Sequence, residues 1–318
     1  MSGHSSQPDE PATTSAPRDL VGQTSIVVCT VDRLADLERC LESLEPFRAA
    51  GAEVVVVNNG PRGAAVEEIA RRHTARVTTE ARRGVSRARN TGVRASSRPL
   101  LAFLDDDSTA AADWLPLLLA PLRDAQVLAV VGSVWPQTLA DPVSRAFHGM
   151  HHAEFPVERT TLKASENTFP LRMALVGNAN MAIRREVFER IGYFDVRFGR
   201  GTRIRSSEEP ELLLAVLRAG ARVVVEPAAR VFHRHATESR AFRRWAFDSG
   251  CGHTAILTKY FLREPSLRRA IIGYIASRTV RRKQPGGGRT RQVRIPRLPF
   301  LLGSLYGPLA FLLSGRDS

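Results

Sequence analysis

Short, continuous apolar runs alternating with amphipathic stretches constrain this chain more than any other feature. Ile26-Val27-Val28-Cys29, Val54-Val55-Val56-Val57, Arg76–Thr79 and residues 100–104 read as strands. The first, second and last are apolar throughout, as suits strands buried on both faces. Between the first two, Leu34, Leu37, Leu41 and Leu44 recur at helical spacing. Asp36, Glu38, Glu42 and Glu45 lie mostly on the opposite face, and Gly51 ends the unit. Residues 64–72 and Val85–Ala95 also read as helices. The order β-α-β-α-β-α-β implies an α/β fold with a parallel sheet and right-handed crossovers.

Such sheets bind ligands at the carboxyl ends of their strands. The polar residues there are Thr30, Asp32 and Arg33, then Asn58 and Asn59, then Asp105, Asp106 and Asp107. Beyond this rim, helices are predicted over residues 114–122, 185–191 and 208–219, with strands over 127–131 and 223–225. Residues 174–183 read as strand-like around Gly177-Asn178-Ala179-Asn180, and residues 140–172 as irregular. His148, His151 and His152 cluster in that irregular stretch without a metal-binding spacing.

Three successive carboxylates at the end of an apolar strand repel one another, and a cation relieves that repulsion. Oxygen ligands suit Mg²⁺ or Mn²⁺, ions that bridge carboxylates to a diphosphate. Alternation along an extended segment sets Asp105 and Asp107 on one side and Asp106 on the other. The competing reading is a solvated loop that caps the next helix.

Five segments, in order, resemble the family 2 inverting glycosyltransferases. They are Ser25 to Thr30 with residues 54–60; Arg83-Gly84-Val85-Ser86-Arg87-Ala88-Arg89-Asn90-Thr91-Gly92; and Phe103-Leu104-Asp105-Asp106-Asp107. Then come Gly177-Asn178-Ala179-Asn180-Met181 with Gly192-Tyr193-Phe194-Asp195, and Ser207-Glu208-Glu209-Pro210-Glu211 with Glu226-Pro227 and His233. The resemblance spans roughly residues 24–235. It implies a GT-A fold, with a Rossmann-like, mostly parallel mixed sheet flanked by helices, and transfer of a sugar from a nucleotide diphosphate donor with inversion. It implies that Thr30, Asp32, Asn58, Arg89, Asp105 and Asp106 bind the nucleotide sugar. Asp107 and Asp105 would hold Mn²⁺ or Mg²⁺, completed by His233, with His235 an equal rival. Glu209, with Glu208 beside it, matches the general base, and Asn178, Asn180 and Asp195 match the acceptor side. Two positions depart from the family's usual pattern: Asn58 and Glu209 stand where Asp is common. An amide both donates and accepts, whereas an ionised Asp only accepts. The extra methylene of Glu209 changes its reach.

The formal net charge of +14 first suggests a polyanionic partner. Residues 240–318 carry 16 Lys and Arg against 3 Asp and Glu, so the body before them is close to neutral. That argues against a chain that coats nucleic acid. The remaining alternative is a catalytically weak nucleotide-sugar-binding protein, motivated by Asn58 and Glu209. Three cysteines are too few for a disulfide framework, and no secretory signal is visible, so a cytoplasmic setting is expected. The expected organisation is a disordered tail over 1–22, a catalytic domain over 23–238, a helical basic extension over 239–283, and a linker and apolar segment over 284–318. Residues 298–313 are too short to span a bilayer, are interrupted by Pro299 and Pro308, and follow a run of arginines. They fit peripheral attachment to an anionic membrane surface that carries a lipid-linked acceptor, or packing back on the body. A glycan is the other acceptor expected.

Overall fold

The computed structural model describes residues 20–140, 142–152, 155–164, 180–234, 238–280 and 296–315. Its first half follows the predicted alternation. Strand β1 (Thr24–Thr30), helix α1 (Leu34–Ala49), β2 (Glu53–Asn58), α2 (Gly63–Arg72), β3 (Arg76–Thr79), α3 (Val85–Ala95) and β4 (Leu100–Asp105) succeed one another. The four strands lie in the order β3-β2-β1-β4, all parallel. The chain then adds β5 (Ser108–Ala110), α4 (Trp114–Leu119), β6 (Val127–Pro136), α5 (Pro142–His152) and β7 (Thr160–Leu162). After these come β8 (Met181–Arg184), α6 (Glu186–Ile191), α7 (Glu208–Arg218) and β9 (Arg222–His233). The sheet continues from β4 through β8, β6 and β9 to β5, with β8 antiparallel to both neighbours and β7 also on β9.

Strand alternation sends side chains to two cores. Ile26, Val28, Val54 and Val56 face Leu37, Leu41, Leu44 and Trp114 on one side. Val27, Val57, Phe103 and Met181 face Ala88, Val93, Phe194 and Leu212 on the other. A third core joins the body to its C-terminal extension, made of α8 (Ser239–Arg263), α9 (Arg268–Val280) and α10 (Arg297–Leu313). Phe198, Ile204 and Leu214 of the body meet Cys251, Ala255, Ile256, Leu257, Ala310 and Phe311 there.

Three expectations change. The stretch read as irregular contains α5 and β7. The strand expected to end at Glu226-Pro227 continues to His233, because a register shift opposite Gly132 and Ser133 takes Pro227 out of the ladder. The C-terminal apolar segment is one helix. Pro299 sits in its first turn, where a missing N–H costs little, and α10 continues past Pro308 while packed on α8. Residues 1–19 of the expected tail and 284–295 of the expected linker lie outside the described residues.

Candidate active site

The parallel register of β1 and β4 pairs Cys29 with Asp105, so the acidic triplet opens beside the end of β1. Thr30 Oγ1 donates to Asp106 Oδ2 at 2.7 Å, and Arg33 reaches Asp106 at 2.6 Å and also pairs with Asp107. Burial pushes the Asp106 carboxyl up to about 7, with Arg33 pulling the other way. Strand β5 pairs with β9 so that Ser108 faces His233, and His233 Nε2 lies 3.1 Å from Asp107 Oδ1. Burial alone would raise the Asp107 carboxyl, but His233, Arg33 and Arg200 hold it well below the usual carboxylate range. Asp105, Asp107 and His233 each offer a ligand atom, and those atoms lie within 4.8 Å of one another. Two carboxylates and an imidazole form a donor set that fits Mn²⁺ or Mg²⁺. Asp106 is turned to Thr30 and Arg33 instead, as the alternation predicts.

Arg89 lies at the centre of the site. Its side chain is 3% exposed, and its fork is divided among three carboxylates. Nη1 meets Glu208 at 3.0 Å, and Nη2 meets Glu209 at 2.7 Å and Asp105 at 3.3 Å. The Phe194 ring covers the guanidinium, 5.6 Å from its centroid. Burial would lower the Arg89 pKa, but the three carboxylates hold it above its ordinary value. The family resemblance sets Arg89 near the nucleotide or its phosphates. The structure has the fork occupied by Glu208, Glu209 and Asp105, so Arg89 couples the acidic rim to the start of α7. Glu208 is pushed up to about 8 by burial and by Glu209, against the pull of Arg89. Both glutamates are buried in the first turn of α7, where the helix dipole favours carboxylates. The residue before them, Ser207, has φ +72, a left-handed conformation that costs a non-glycine residue energy. Gly252 of α8 packs on this turn so closely that a Cβ would lie 2.2 Å from Ser207 Oγ.

The rest of the Gly84–Gly92 motif explains how the site is held. Ser86 Oγ donates to the Phe198 carbonyl at 2.8 Å. Asn90 clamps Phe194 by both backbone groups, at 2.9 and 3.0 Å. A Cβ on Gly92 would lie 2.4 Å from Val27 Cγ1, so α3 can approach β1 only with glycine there. Helix α3 is therefore a beam linking the parallel half to Phe194 and Phe198, and through Arg89 to the first turn of α7.

Asn58 and Gly60 form a closed turn. Asn58 Nδ2 donates to the Gly60 carbonyl and Oδ1 accepts from Gly60 N–H, both at 3.1 Å. An ionised Asp could not make the first bond, which accounts physically for the amide. A Cβ on Gly60 would lie 1.7 Å from the Val31 carbonyl oxygen, so the loops after β1 and β2 touch. Asp32 is exposed on this rim.

Two of the three predicted acceptor residues, Asn180 and Asp195, are each engaged elsewhere. Asn180 is fully buried, donating to the Ser133 and Ala229 carbonyls at 2.8 and 2.9 Å and accepting from Trp114 Nε1 at 2.7 Å. Its amide is used up in the core and cannot serve an acceptor. Asp195 accepts from Arg197 Nε and Lys259 Nζ at 2.8 and 2.7 Å, tying α8 to the body. Burial would raise the Asp195 carboxyl, but these two cations hold it well below the usual range. Asn178 and His235 lie outside the described residues. The sequence sets Arg33 on the rim without a role. Its position after β1 was the available signal, and its two aspartate partners required the fold.

A family model described as glycosyl transferase family 2 matches residues 25–192, more than half of the chain. The pre-mycofactocin glycosyltransferase of Mycobacterium tuberculosis is 30% identical over 170 residues, covering 53% of this chain and 34% of that protein. The glucosyl-dolichyl phosphate glucuronosyltransferase of Haloferax volcanii is 27% identical over 229 residues, covering 67% and 69%. The chain spans about a third of the length of the first curated relatives, 28% and 34%. Among solved structures, a mannosyltransferase from Pyrobaculum calidifontis with GDP-Man and Mn²⁺ superposes with a TM-score of 0.55 at 18% identity, covering 92% of this chain and 72% of that one. S. aureus TarS superposes with a TM-score of 0.57 at 15% identity, covering 92% and 80%.

Proposed function

The chain belongs to glycosyltransferase family 2 and has the GT-A fold, and from that premise we propose that it transfers a sugar from a nucleotide diphosphate donor to a hydroxyl acceptor, with inversion and with metal assistance. One observation carries this reading. A single buried guanidinium holds Asp105, on the metal-ligating side, and Glu209, the candidate base, at 3.3 and 2.7 Å. The two reaction ends of a glycosyl transfer must face each other across the anomeric carbon, and Arg89 fixes their separation.

In this reading Asp105, Asp107 and His233 hold Mn²⁺ or Mg²⁺. The ion supplies neutralisation of charge on the leaving diphosphate. The touching loops after β1 and β2 receive the nucleoside, with Thr30 acting through Asp106 rather than directly. Arg33, half-buried beside Asp106 and Asp107, is placed to contact the phosphates as a fork. Glu209 removes the proton from the acceptor hydroxyl as its oxygen attacks, which requires the hydroxyl within hydrogen-bond reach of a carboxylate oxygen. Arg89 and the buried turn at Ser207 restrict the rotamers of Glu209.

The Haloferax relative is named for a dolichyl phosphate-linked acceptor, which supports a lipid-linked acceptor here over a free glycan. The same reading sets the enzyme peripherally on the cytoplasmic face of a membrane. Among the described residues no helix is long and apolar enough to cross one.

The test is turnover of a panel of nucleotide sugars with Mn²⁺ or Mg²⁺ and lipid-phosphate or glycan acceptors. Glu209→Gln should lose about 10²- to 10⁴-fold in kcat while nucleoside diphosphate still raises the melting temperature. Asp107→Ala should lose that metal-dependent rise. Absence of turnover with every donor, or full activity in Asp107→Ala, refutes the proposal.

A further inference from the structure

Helix α10 has two faces of opposite character. One is a seam against α8. A Cβ on Gly303 would lie 2.0 Å from the Phe247 carbonyl oxygen, one on Gly307 2.1 Å from Thr254 Oγ1, and one on Gly250 of α8 2.2 Å from the Phe300 carbonyl oxygen. Gly303 meets Phe247 and Cys251, and Gly307 one turn on meets Cys251, Thr254 and Ala255, so α8 and α10 run parallel and the glycines let their backbones meet. The other face is a stripe of leucines that no other described residue covers. Leu298, Leu302, Leu305, Leu309 and Leu312 follow at helical spacing, and Leu305 is 77% exposed, Leu298 67% and Leu312 65%. A contiguous apolar stripe of this kind on a soluble surface marks a contact site.

The chemistry around the stripe selects its occupant. Neither α9 nor α10 contains an acidic residue. Arg297 begins α10, and the parallel packing sets that end beside exposed Arg243 and Arg244 of α8. Residues 281–295, which lead into α10, carry six more Lys and Arg and only two apolar residues, Val293 and Ile295. A second copy would bring the same positive charge against itself. The 17 residues of α10 span about 26 Å, short of the roughly 30 Å of a bilayer core. An uncrossed helix with leucines on one side and cations at its end matches an anionic lipid surface, with the leucines sunk into the headgroup and acyl boundary.

We propose that α10 docks the protein in the plane of an anionic membrane by Leu298, Leu302, Leu305, Leu309 and Leu312, with Arg297, Arg243 and Arg244 on lipid phosphates. The inference refines the peripheral placement in the proposed function, but the surface itself does not depend on sugar transfer. The probes are vesicles of phosphatidylcholine alone and vesicles with about a third phosphatidylglycerol. The full-length chain should float with the second kind at least tenfold more than with the first, and less at high salt. Leu305→Glu combined with Leu309→Glu should lower that binding more than tenfold, because each leucine contributes about tenfold when buried. Melting temperature and turnover of a water-soluble acceptor should be unchanged, since both positions are exposed. Three results overturn the proposal: no flotation with anionic vesicles at low salt, equal flotation of the double variant, or a wild-type dimer that the double variant splits. Vesicle binding without sugar transfer would instead refute the transferase reading and leave this surface standing.

Discussion

Replacing Arg89 by methionine would leave three carboxylates facing one another in a buried space. The wild-type guanidinium meets Glu209 at 2.7 Å, Glu208 at 3.0 Å and Asp105 at 3.3 Å, and is 3% exposed. Removing one partner of a buried ion pair costs about 3–5 kcal/mol, because the other charge remains without compensation. At about 2–4 °C per kcal/mol for a chain of this size, the melting temperature should fall by about 6–20 °C. The loss should depend on pH in a definite direction. Burial and Glu209 already raise the Glu208 carboxyl to about 8, and Arg89 opposes that rise. Without Arg89 the site binds protons more tightly than the unfolded chain does. A raised carboxyl stabilises the fold below its unfolded pKa, and that contribution is lost as pH rises through the folded value. The deficit of Arg89→Met should therefore be larger at about pH 8.5 than at about pH 5. Paired thermal melts of wild type and variant at the two pH values read this directly. A deficit below about 1 kcal/mol at the higher pH, or one equal at both, would show that the three contacts do not act as a buried ionic network.

Other substitutions separate the structural parts of the motif from the chemical ones. Gly92→Ala forces a Cβ into Val27 and should cost about 1–3 kcal/mol in urea unfolding, with the denaturant slope unchanged. Asn180→Leu strands the Ser133 and Ala229 carbonyls and the Trp114 indole N–H, at about 1–3 kcal/mol for each buried group left unpaired, so it should lower expression and stability before it alters acceptor KM. Glu208→Gln imitates the protonated acid. Its melting temperature should match wild type near pH 4.5 and exceed it increasingly towards pH 8, each pH unit between those values being worth up to about 1.4 kcal/mol.

The parallel half of the fold could be read from sequence because its strands are continuous apolar runs and its helices have clear periods. The mixed half of the sheet was harder. Strand β9 passes Pro227 by a register shift, which depends on its partner β6 and leaves no trace in periodicity. Helix α5 was obscured by its histidines, whose polarity suggested a loop although histidine is permitted in helices. At the site, Asp105, Asp107 and His233 were placed together by motif order, and the pairing of β5 with β9 brings them within reach. Arg89 and Asn180 were read differently because a side chain's partner is a tertiary fact. Both are polar residues in a glycosyltransferase motif, and either pattern would serve a ligand or a core. Burial and saturated bonding distinguish the two cases, and neither can be counted along a sequence.

The third core has a consequence for how this protein can be divided and recombined. Phe198, Ile204 and Leu214 lie before residue 238, yet they are packed against α8 and α10 after it. Gly252 presses on Ser206 and Ser207 at the turn that leads into Glu208. A gene fusion that kept the body and replaced the tail would thus remove one wall of the turn that leads into Glu208 and Glu209. An exchanged tail would work only if it brought a glycine to the same spot and apolar residues opposite Phe198. Tail and body are therefore one packing unit, and a bulkier residue at position 252 would displace the turn that leads into Glu208 and Glu209.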